Sequence, residues 1–362
     1  MARTNVEIKP IFKDSREDLE RAVSLRTFFV NNQDPKRHSI SPEYYHWLYF
    51  QNPVSGSSFW AAYHDGQIVG MSTVISRSLE IFGKKIQIGE DAAGFVHPSY
   101  QGRGIRKSLF NANMQNAAQE GITTIFGISR TRQIHKAYEK AHFLEIPALR
   151  LKCLIRPVRL REWLKAKTHW NMAPLAGEFM MGRFYNRVFK KPSAARSGAV
   201  SIRREDQISS EFDDFYLSCS KSYDFIQVRD RQYLDWRYFK GPDPYELFTL
   251  RRNSGIVGYF VISRIPWRNM WIGNVVDFLT SQDDSRVVDS MISRAVFELQ
   301  KRGVDFIQVW AVKGSPYYPM FLRYGFIPFR KIKVLFNPSA LVKSLIDKNP
   351  VVHFTAGDSD YL

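Results

Sequence analysis

The sequence predicts a mixed α/β fold that contains two copies of one domain. A group of mostly aromatic residues recurs 189 positions further along the chain, and helix and strand patterns alternate in the same order in both copies. The first group is Tyr44, Trp47, Tyr49, Phe50 and Pro53, and the second is Tyr233, Trp236, Tyr238, Phe239 and Pro242. Five matches in so short a window indicate an internal duplication.

Apolar spacing and turn residues predict the elements of the first copy in chain order. A helix begins near Asp14, with Ser15 as its N-cap, and ends near Arg26. Two hairpins follow, turning at Asp65–Gly66 and at Gly83. The four strands of these hairpins are predicted at 58–63, 67–75, 78–82 and 85–96. They are followed by a helix at 105–117 that ends before Gly121, a strand at 122–128, a helix at 134–141 and a last strand from Phe143.

This order places helices after the fourth and fifth strands, as in an α+β domain with a mixed sheet. We therefore divide the chain into a first domain, residues 1–155, and a second domain, residues 201–335. Residues 156–200 form a connector between them, and residues 336–362 form a C-terminal tail.

Composition excludes several classes of protein. The 362 residues are 44% hydrophobic and 24% charged, which is typical of a folded chain and not of a disordered one. No apolar run approaches the roughly 18 residues of a membrane span, and the N-terminus has no signal-peptide core, so we expect a cytoplasmic protein. Cys153 and Cys219 give no disulfide framework, and the scattered histidines suggest no metal site.

The net charge of +17 is concentrated in one stretch of the chain. Residues 150–204 contain 14 Lys and Arg, but only Glu162 and Glu178 as acids. A basic segment with interleaved aromatic residues is typical of peripheral contact with an anionic membrane, and equally of a helix packed between domains with a solvated basic face. Both interpretations stay open for residues 156–191, and the first would place the protein at the inner face of the membrane.

The most informative segment is residues 95–107, FVHPSYQGRGIRK. A predicted strand runs into a glycine-spaced loop that opens a helix, so successive backbone N–H groups and the helix dipole can cradle an anion. Gly102 and Gly104 allow a close approach, and Arg103 and Arg106 add positive charge. The spacing matches neither a P-loop nor the dinucleotide-binding glycine pattern.

This segment resembles the signature of the GNAT superfamily of acyl-CoA-dependent N-acyltransferases, in which Gln or Arg, Gly, and then Gly or Ala are spaced as Gln101, Gly104 and Arg106 are here. Arg106 departs from the pattern, because the family usually has Gly or Ala at that place. Residues 137–143, AYEKAHF, resemble a second family segment, Y-E-K-x-G-F. The resemblance implies tandem GNAT domains, acetyl-CoA as cosubstrate and no metal. It assigns to the cosubstrate Phe95, Val96, Gln101, Gly102, Arg103, Gly104, Ile105 and Arg106.

The resemblance also implies catalytic roles. A backbone N–H near Phe95 and Val96 would polarise the thioester carbonyl, and Tyr138 would protonate the departing thiolate. The general base is Glu90 or Asp91. Adjacent strand residues face opposite sides, so only one of the two faces the cleft, and an unbroken alternation places Glu90 with Gly94 and Val96.

The second copy lacks this machinery. Where the loop should be, residues 279–286 read LTSQDDSR, which has no glycine, and Asp283 and Asp284 would repel a pyrophosphate. Phe321 stands at the position of Tyr138 and has no proton to give. We expect the second domain to be degenerate, and to shape the acceptor cleft or support the first.

The leading hypothesis is an acetyl-CoA-dependent N-acetyltransferase that modifies a small-molecule or sugar amine. The tail resembles those of two-domain GNAT proteins from bacterial surface-polysaccharide gene sets, which favours a polysaccharide precursor as acceptor. One alternative is an aminoacyltransferase that uses charged tRNA and peptidoglycan-type acceptors, which the positive charge would suit. The retained loop argues against it and against a nucleic-acid partner. Another is a non-catalytic module that binds the coenzyme or a polyanion. The sequence does not fix the oligomeric state.

Overall fold

The computed structural model describes residues 6–33, 40–129, 132–159, 200–253, 255–267, 269–281 and 284–360. Most of the basic connector, residues 160–199, lies outside the described residues, and so does Asp283. The described chain forms a mixed α/β fold with two mixed sheets, as the sequence predicts.

The first sheet has the strand order β1-β2-β3-β4-β5-β15-β6, with β9 paired to β3. Its strands are β1 (Glu7–Pro10), β2 (Ser58–His64), β3 (Gln67–Ile81), β4 (Lys84–Val96), β5 (Ile125–Ser129), β6 (Leu144–Glu145), β9 (Phe225–Gln227) and β15 (Lys333–Phe336). The neighbours β1 to β4 are antiparallel, whereas β4 and β5 are parallel.

The second sheet has the order β14-β7-β13-β12-β11-β10-β8. Its strands are β7 (Leu151–Pro157), β8 (Ser201–Glu205), β10 (Tyr245–Arg252), β11 (Gly255–Trp267), β12 (Met270–Thr280), β13 (Phe306–Val312) and β14 (Ile327–Lys331). Here β12 and β13 form the parallel pair, as β4 and β5 do in the first sheet.

The described helices include the three that the sequence predicts in the first copy, although the first of the three extends to Gln33 instead of ending near Arg26. They are α1 (Arg16–Gln33), α2 (Pro42–Tyr45) with a π-helical turn (His46–Phe50), α3 (Ile105–Gln119), α4 (Arg132–Lys140), α5 (Glu211–Ser220), α6 (Arg231–Tyr238), α7 (Ser285–Lys301), α8 (Tyr317–Arg323) and α9 (Ala340–Lys348). Helix α3 lies close to the first sheet, and Gly70 permits this approach because it has no side chain. A side chain there would press against Ile105 and Leu109. The position of α3 brings the loop before it to the end of β4.

β3 runs unbroken through a region where the sequence predicts two strands. The polar residues Ser76 and Arg77 suggest an interruption, yet both are buried inside the strand. Arg77 is accommodated because its guanidinium donates two hydrogen bonds to Glu90 on β4, with Nε at 3.0 Å and Nη2 at 2.6 Å. A buried charge is tolerated in a strand when it is paired in this way.

The two halves exchange strands across the boundaries expected from the sequence. β7, at the end of the first half, lies in the second sheet between β13 and β14. β15, at the end of the second half, lies in the first sheet between β5 and β6. One apolar core therefore contains residues of both halves, including Phe126 of β5 and Trp310 of β13.

Trp47 and Trp236, which occupy equivalent positions in the repeat, meet at the junction of the halves. Their rings stack with centroids 4.9 Å apart, and each indole N–H donates to the backbone carbonyl of the other residue, at 3.0 Å and 3.3 Å. Both side chains are buried, and a side chain on Gly241 would crowd the Trp47 ring. The repeated tryptophans therefore form an interface between the two halves, and their reciprocal contacts have approximate two-fold symmetry.

The C-terminal tail is buried between the halves. Arg229 binds Asp358 at 2.7 Å and Asp277 at 3.1 Å, and all three side chains are buried. His353, beside this cluster, contacts the carbonyl oxygen of Phe278 through Nε2 at 2.9 Å. Burial, together with the charge of Arg229, lowers the pKa of His353 to about 3. The tail is thus an integral part of the fold.

Replacing Trp47 with Ala should destabilise the protein by about 3–5 kcal/mol, the usual cost of removing a large buried aromatic ring. The measurement is urea unfolding, with Trp267→Ala as the control, because Trp267 is 37% exposed. The control should cost less than about 1 kcal/mol. Equal losses for the two variants would show that the tryptophan pair does not hold the halves together.

The stability of the protein should fall as the pH is lowered from 6 to 4, and part of this loss should come from His353. The unfolded chain protonates this imidazole near pH 6.5, whereas the folded chain resists protonation to about pH 3, so stability rises with pH through that window. The His353→Gln variant should lose less, by up to about 1.4 kcal/mol per pH unit. Parallel pH profiles of urea midpoints would contradict this assignment.

Candidate active site

The loop after β4 has the backbone geometry that an anion site requires. Gly102 and Gly104 adopt φ values of 78° and 79°, a region that favours glycine. Gly104 is the N-cap residue of α3. Because glycine has no side chain, this residue makes no capping hydrogen bond to the first N–H groups of the helix. The first N–H groups of α3 have no partner within the helix, so they are available to an anion.

Side chains around the loop hold it in this shape. Gln101 donates from Nε2 to the carbonyl oxygen of Val96 at 3.0 Å, which ties the loop to the end of β4. Arg103 donates to the carbonyl oxygen of Ser99 at 2.9 Å, and its guanidinium lies over the Tyr100 ring. Ile105 is buried under the loop with Val96. The loop residues that the sequence singled out are therefore brought together.

β4 and β5 diverge at the level of Asp91. Their parallel pairing joins Gly89 to Ile125, Glu90 to Phe126 and Asp91 to Gly127, after which β4 continues to Val96. We call the space between the two strands beyond Asp91 and Gly127 the first wedge. It opens beside the glycine loop, because that loop follows β4 directly.

Tyr138 of α4 reaches into the first wedge. Its hydroxyl donates to Oδ2 of Asp91 at 2.9 Å and lies against Gly127, where any side chain would overlap it. The ring packs on Phe143, at 4.9 Å between centroids, and on Leu335, which belongs to the exchanged strand β15. Burial, reinforced by the charge of Asp91, raises the pKa of Tyr138 well above the usual value of tyrosine. The hydroxyl thus stays protonated at neutral pH and can donate.

Glu90 and Asp91 lie on opposite faces of the first sheet, and the alternation expected from the sequence is wrong beyond them. A β-bulge shifts the register between Ser72 and Val74 of β3, so that Ser72 pairs with Gly94 and Val74 with Asp91. The additional residue on β4 reverses the alternation. As a result Asp91, and not Glu90, shares the α3 face with Gly94 and Val96.

Asp91 and Arg106 form an ion pair at the edge of the first wedge. Nη2 of Arg106 lies 3.2 Å from Oδ2 of Asp91, and Nη1 donates to Oγ of Ser72 at 2.8 Å. The carboxylate is almost fully buried, at 3% side-chain exposure, whereas Arg106 is 41% exposed.

Glu90 faces the junction between the two halves. Arg77 binds only its Oε2, while Oε1 accepts from the backbone N–H of Asp360 at 3.0 Å. The Asp360 carboxylate in turn accepts from the hydroxyl of Tyr44 at 2.6 Å. Burial raises the pKa of Glu90 despite the charge of Arg77.

Phe95 and Val96 complete the end of β4. The Phe95 ring packs on Phe29 of α1 at 5.2 Å, whereas Val96 faces α3, so the backbone here separates the two faces. Glu90 and Phe95 lie on the junction side, and Asp91 and Tyr138 lie on the side of the glycine loop.

Sequence reasoning did not select Ser72, Arg77, Leu335 or Asp360 as parts of the site. Ser72 and Arg77 carry no motif and lie on a strand that looked interrupted. Leu335 and Asp360 approach from the far end of the chain. The only available signal was the polar stretch at 76–78, whose buried arginine requires a carboxylate partner.

The corresponding wedge of the second sheet is filled. β12 and β13 pair from Ile272–Phe306 to Val275–Val309 and then diverge. The hydroxyl of Tyr317 accepts from the backbone N–H of Thr280 at 3.0 Å, and the Tyr317 and Phe321 rings pack on Phe278. The helix that follows is capped by Asp284, which accepts from the N–H of Arg286. Arg252 and Arg286 lower the pKa of Asp284 to about 2.

The described part of the chain contains no helix that is long and apolar enough to cross a membrane. It also contains no group of three or more His, Cys, Asp or Glu side chains placed to hold a metal ion.

Comparisons with known proteins identify the fold. Residues 55–145 match the family model described as an acetyltransferase (GNAT) domain. A comparison with curated protein sequences found no match. Among solved structures, Saccharomyces cerevisiae N-myristoyltransferase with bound myristoyl-CoA is similar, with a TM-score of 0.64 and 12% identity over 93% of this chain and 83% of that one.

Two further structures extend this similarity. A tandem GNAT protein from the clavulanic acid biosynthesis pathway has a TM-score of 0.61 and 11% identity over 92% of this chain and all of that one. A probable N-acyltransferase from Enterococcus faecalis has a TM-score of 0.58 and 13% identity over 92% of this chain and 72% of that one.

Proposed function

We propose that this chain, which carries a GNAT domain and has the fold of tandem GNAT proteins, is an acyl-CoA-dependent N-acyltransferase whose first half is catalytic. The observation that supports this most is the difference between the two wedges. The first wedge contains the buried hydroxyl of Tyr138 beside the glycine loop, and the helix after that loop has no side-chain cap. Tyr317 and Phe321 fill the second wedge.

In this proposal the glycine loop binds the pyrophosphate of the cosubstrate. The N–H groups that follow Gly104 and the positive end of the α3 dipole face the same space, and Gly102 and Gly104 leave it open, with no atoms close to where their side chains would be. The backbone at Phe95 and Val96 would then polarise the thioester carbonyl. The loop thus fits a phosphate-bearing acyl donor.

Tyr138 is the proposed acid for the departing thiolate. Amine acylation forms the C–N bond and breaks the C–S bond, so the sulfur must receive a proton while the amine loses one. The Tyr138 hydroxyl is a donor at neutral pH and lies inside the first wedge.

Glu90 is the proposed proton acceptor for the amine. It lies on the face opposite the glycine loop, so acyl donor and amine can approach from different sides. Its raised pKa makes it a stronger base than an ordinary carboxylate, and Arg77 binds Oε2 while Oε1 accepts from the neutral backbone N–H of Asp360. Asp91 is less suited, because it lies on the side of the glycine loop and already accepts the hydroxyl of Tyr138, the proposed acid.

For the finer specificity we propose acetyl-CoA as the donor and an amino sugar, such as a surface-polysaccharide precursor, as the acceptor. The support for both is the resemblance of the loop, residues 137–143 and the tail to two-domain GNAT proteins. The buried tail contributes to the acceptor side of Glu90, where it would help to define the amine that fits.

The test is a screen of amines with acetyl-CoA that follows the release of free thiol. The panel contains amino sugars, nucleotide-linked amino sugars, peptides and polyamines, and myristoyl-CoA replaces acetyl-CoA in a second series. Thiol release that depends on an amino sugar supports the proposal. A flat response to every amine with both donors would overturn the proposed N-acyltransferase activity.

Tyr138→Phe should lower kcat by about 10²–10⁴-fold, the range for loss of a general acid, while coenzyme A still binds. The matched control is Tyr317→Phe, which removes a buried tyrosine hydroxyl from the second wedge and should leave kcat unchanged. Initial rates and calorimetric binding check both variants. Full turnover by a folded Tyr138→Phe variant would remove Tyr138 from the mechanism.

A further inference from the structure

Arg106 covers the face of β4 that lies on the side of the glycine loop. Its guanidinium crosses β4 directly over Gly94, so closely that any side chain at Gly94 would overlap it. Ser72 and Asp91 hold it there through the contacts described above. In this position the side chain covers the backbone that leads from Asp91 to Phe95 and narrows the first wedge.

The same residue is also within reach of the glycine loop. Arg106 is the second residue of α3, so its backbone belongs to the first turn that faces the anion site. With 41% of its side chain exposed, Arg106 can leave β4 without unpacking a core, whereas Asp91 is fixed on the strand. A guanidinium can bind a phosphate through two parallel hydrogen bonds, as it binds a carboxylate.

We propose that Arg106 exchanges partners: it is bound to Asp91 and Ser72 in the free protein and to the pyrophosphate of coenzyme A in the complex. This inference rests on the proposed function. The exchange removes the guanidinium from the first wedge at the moment when the donor enters it. Arg106 thus acts both as a phosphate ligand and as the group that narrows the wedge of the free protein.

The exchange has a measurable consequence, because Asp91 competes with the phosphate for one cation. When Arg106 leaves, the buried carboxylate keeps the Tyr138 hydroxyl but loses its counter-charge, which is unfavourable. Weakening the internal partners of Arg106 should therefore strengthen coenzyme A binding. A residue that merely stabilises the fold would not improve binding when its contacts are removed.

The experiment is calorimetric titration of the full chain with coenzyme A. Ser72→Ala should bind about threefold to tenfold tighter than the unmodified protein, and Asp91→Asn at least about tenfold tighter. Arg106→Ala should bind at least about tenfold weaker, because the phosphate loses a charged ligand. Ser76→Ala is the matched control, since Ser76 is a buried serine on the same strand that contacts Gln87 instead of Arg106.

A double variant separates competition from indirect effects. In the Arg106→Ala background, Asp91→Asn should no longer tighten binding, because no guanidinium remains to be released. Thermal unfolding of each variant confirms that it is folded. Ser72→Ala is the smallest change and keeps the test decisive if Asp91→Asn does not fold.

The possible outcomes distinguish this inference from the proposed function. Failure of the unmodified protein to bind coenzyme A would overturn the proposed function and the exchange with it. Binding by the unmodified protein without tightening in Ser72→Ala and Asp91→Asn would overturn the exchange alone. Tighter binding by Arg106→Ala would show that Arg106 only obstructs the wedge and is not a phosphate ligand.

Discussion

The reciprocal contact between Trp47 and Trp236 sets the geometry on which the rest of the molecule depends. Each indole stacks on the other and donates to the other's backbone, so neither half can rotate without breaking both hydrogen bonds. With the halves fixed, β15 crosses into the first sheet and places Leu335 behind Tyr138. The tail follows into the junction and brings Asp360 to Glu90. The half that carries the glycine loop is therefore completed by residues from the far end of the chain.

The β-bulge on β4 decides which of the two neighbouring acids faces the glycine loop. Adjacent strand residues face opposite sides in any case, and the additional residue places Asp91 on the side of α3 and Glu90 on the side of the junction. One carboxylate then binds the tyrosine and arginine of the first wedge, and the other binds Arg77 and the backbone N–H of Asp360 on the opposite face. A reaction between a donor and an acceptor that arrive from different directions suits such a division.

The sequence was sufficient for features that depend on local chemistry. Gly102 and Gly104 predicted an open loop between a strand and a helix, and the aromatic repeat predicted two similar halves. The predicted face of Glu90 was wrong, because the β-bulge adds a residue to β4 and the sequence carries no signal that locates it. The exchange of β7 and β15, and the burial of the tail at Asp358, depend on contacts between residues more than a hundred positions apart. No local periodicity encodes such contacts.

The central claim is that the two halves have diverged so that only the first binds an acyl donor. Titration of the full chain with coenzyme A tests it most directly, because stoichiometry counts the sites whatever the acceptor is. The account predicts one coenzyme A per chain, and no binding after Gly104→Glu, which puts bulk and negative charge into the loop. A stoichiometry near two, or binding that survives Gly104→Glu, would contradict it.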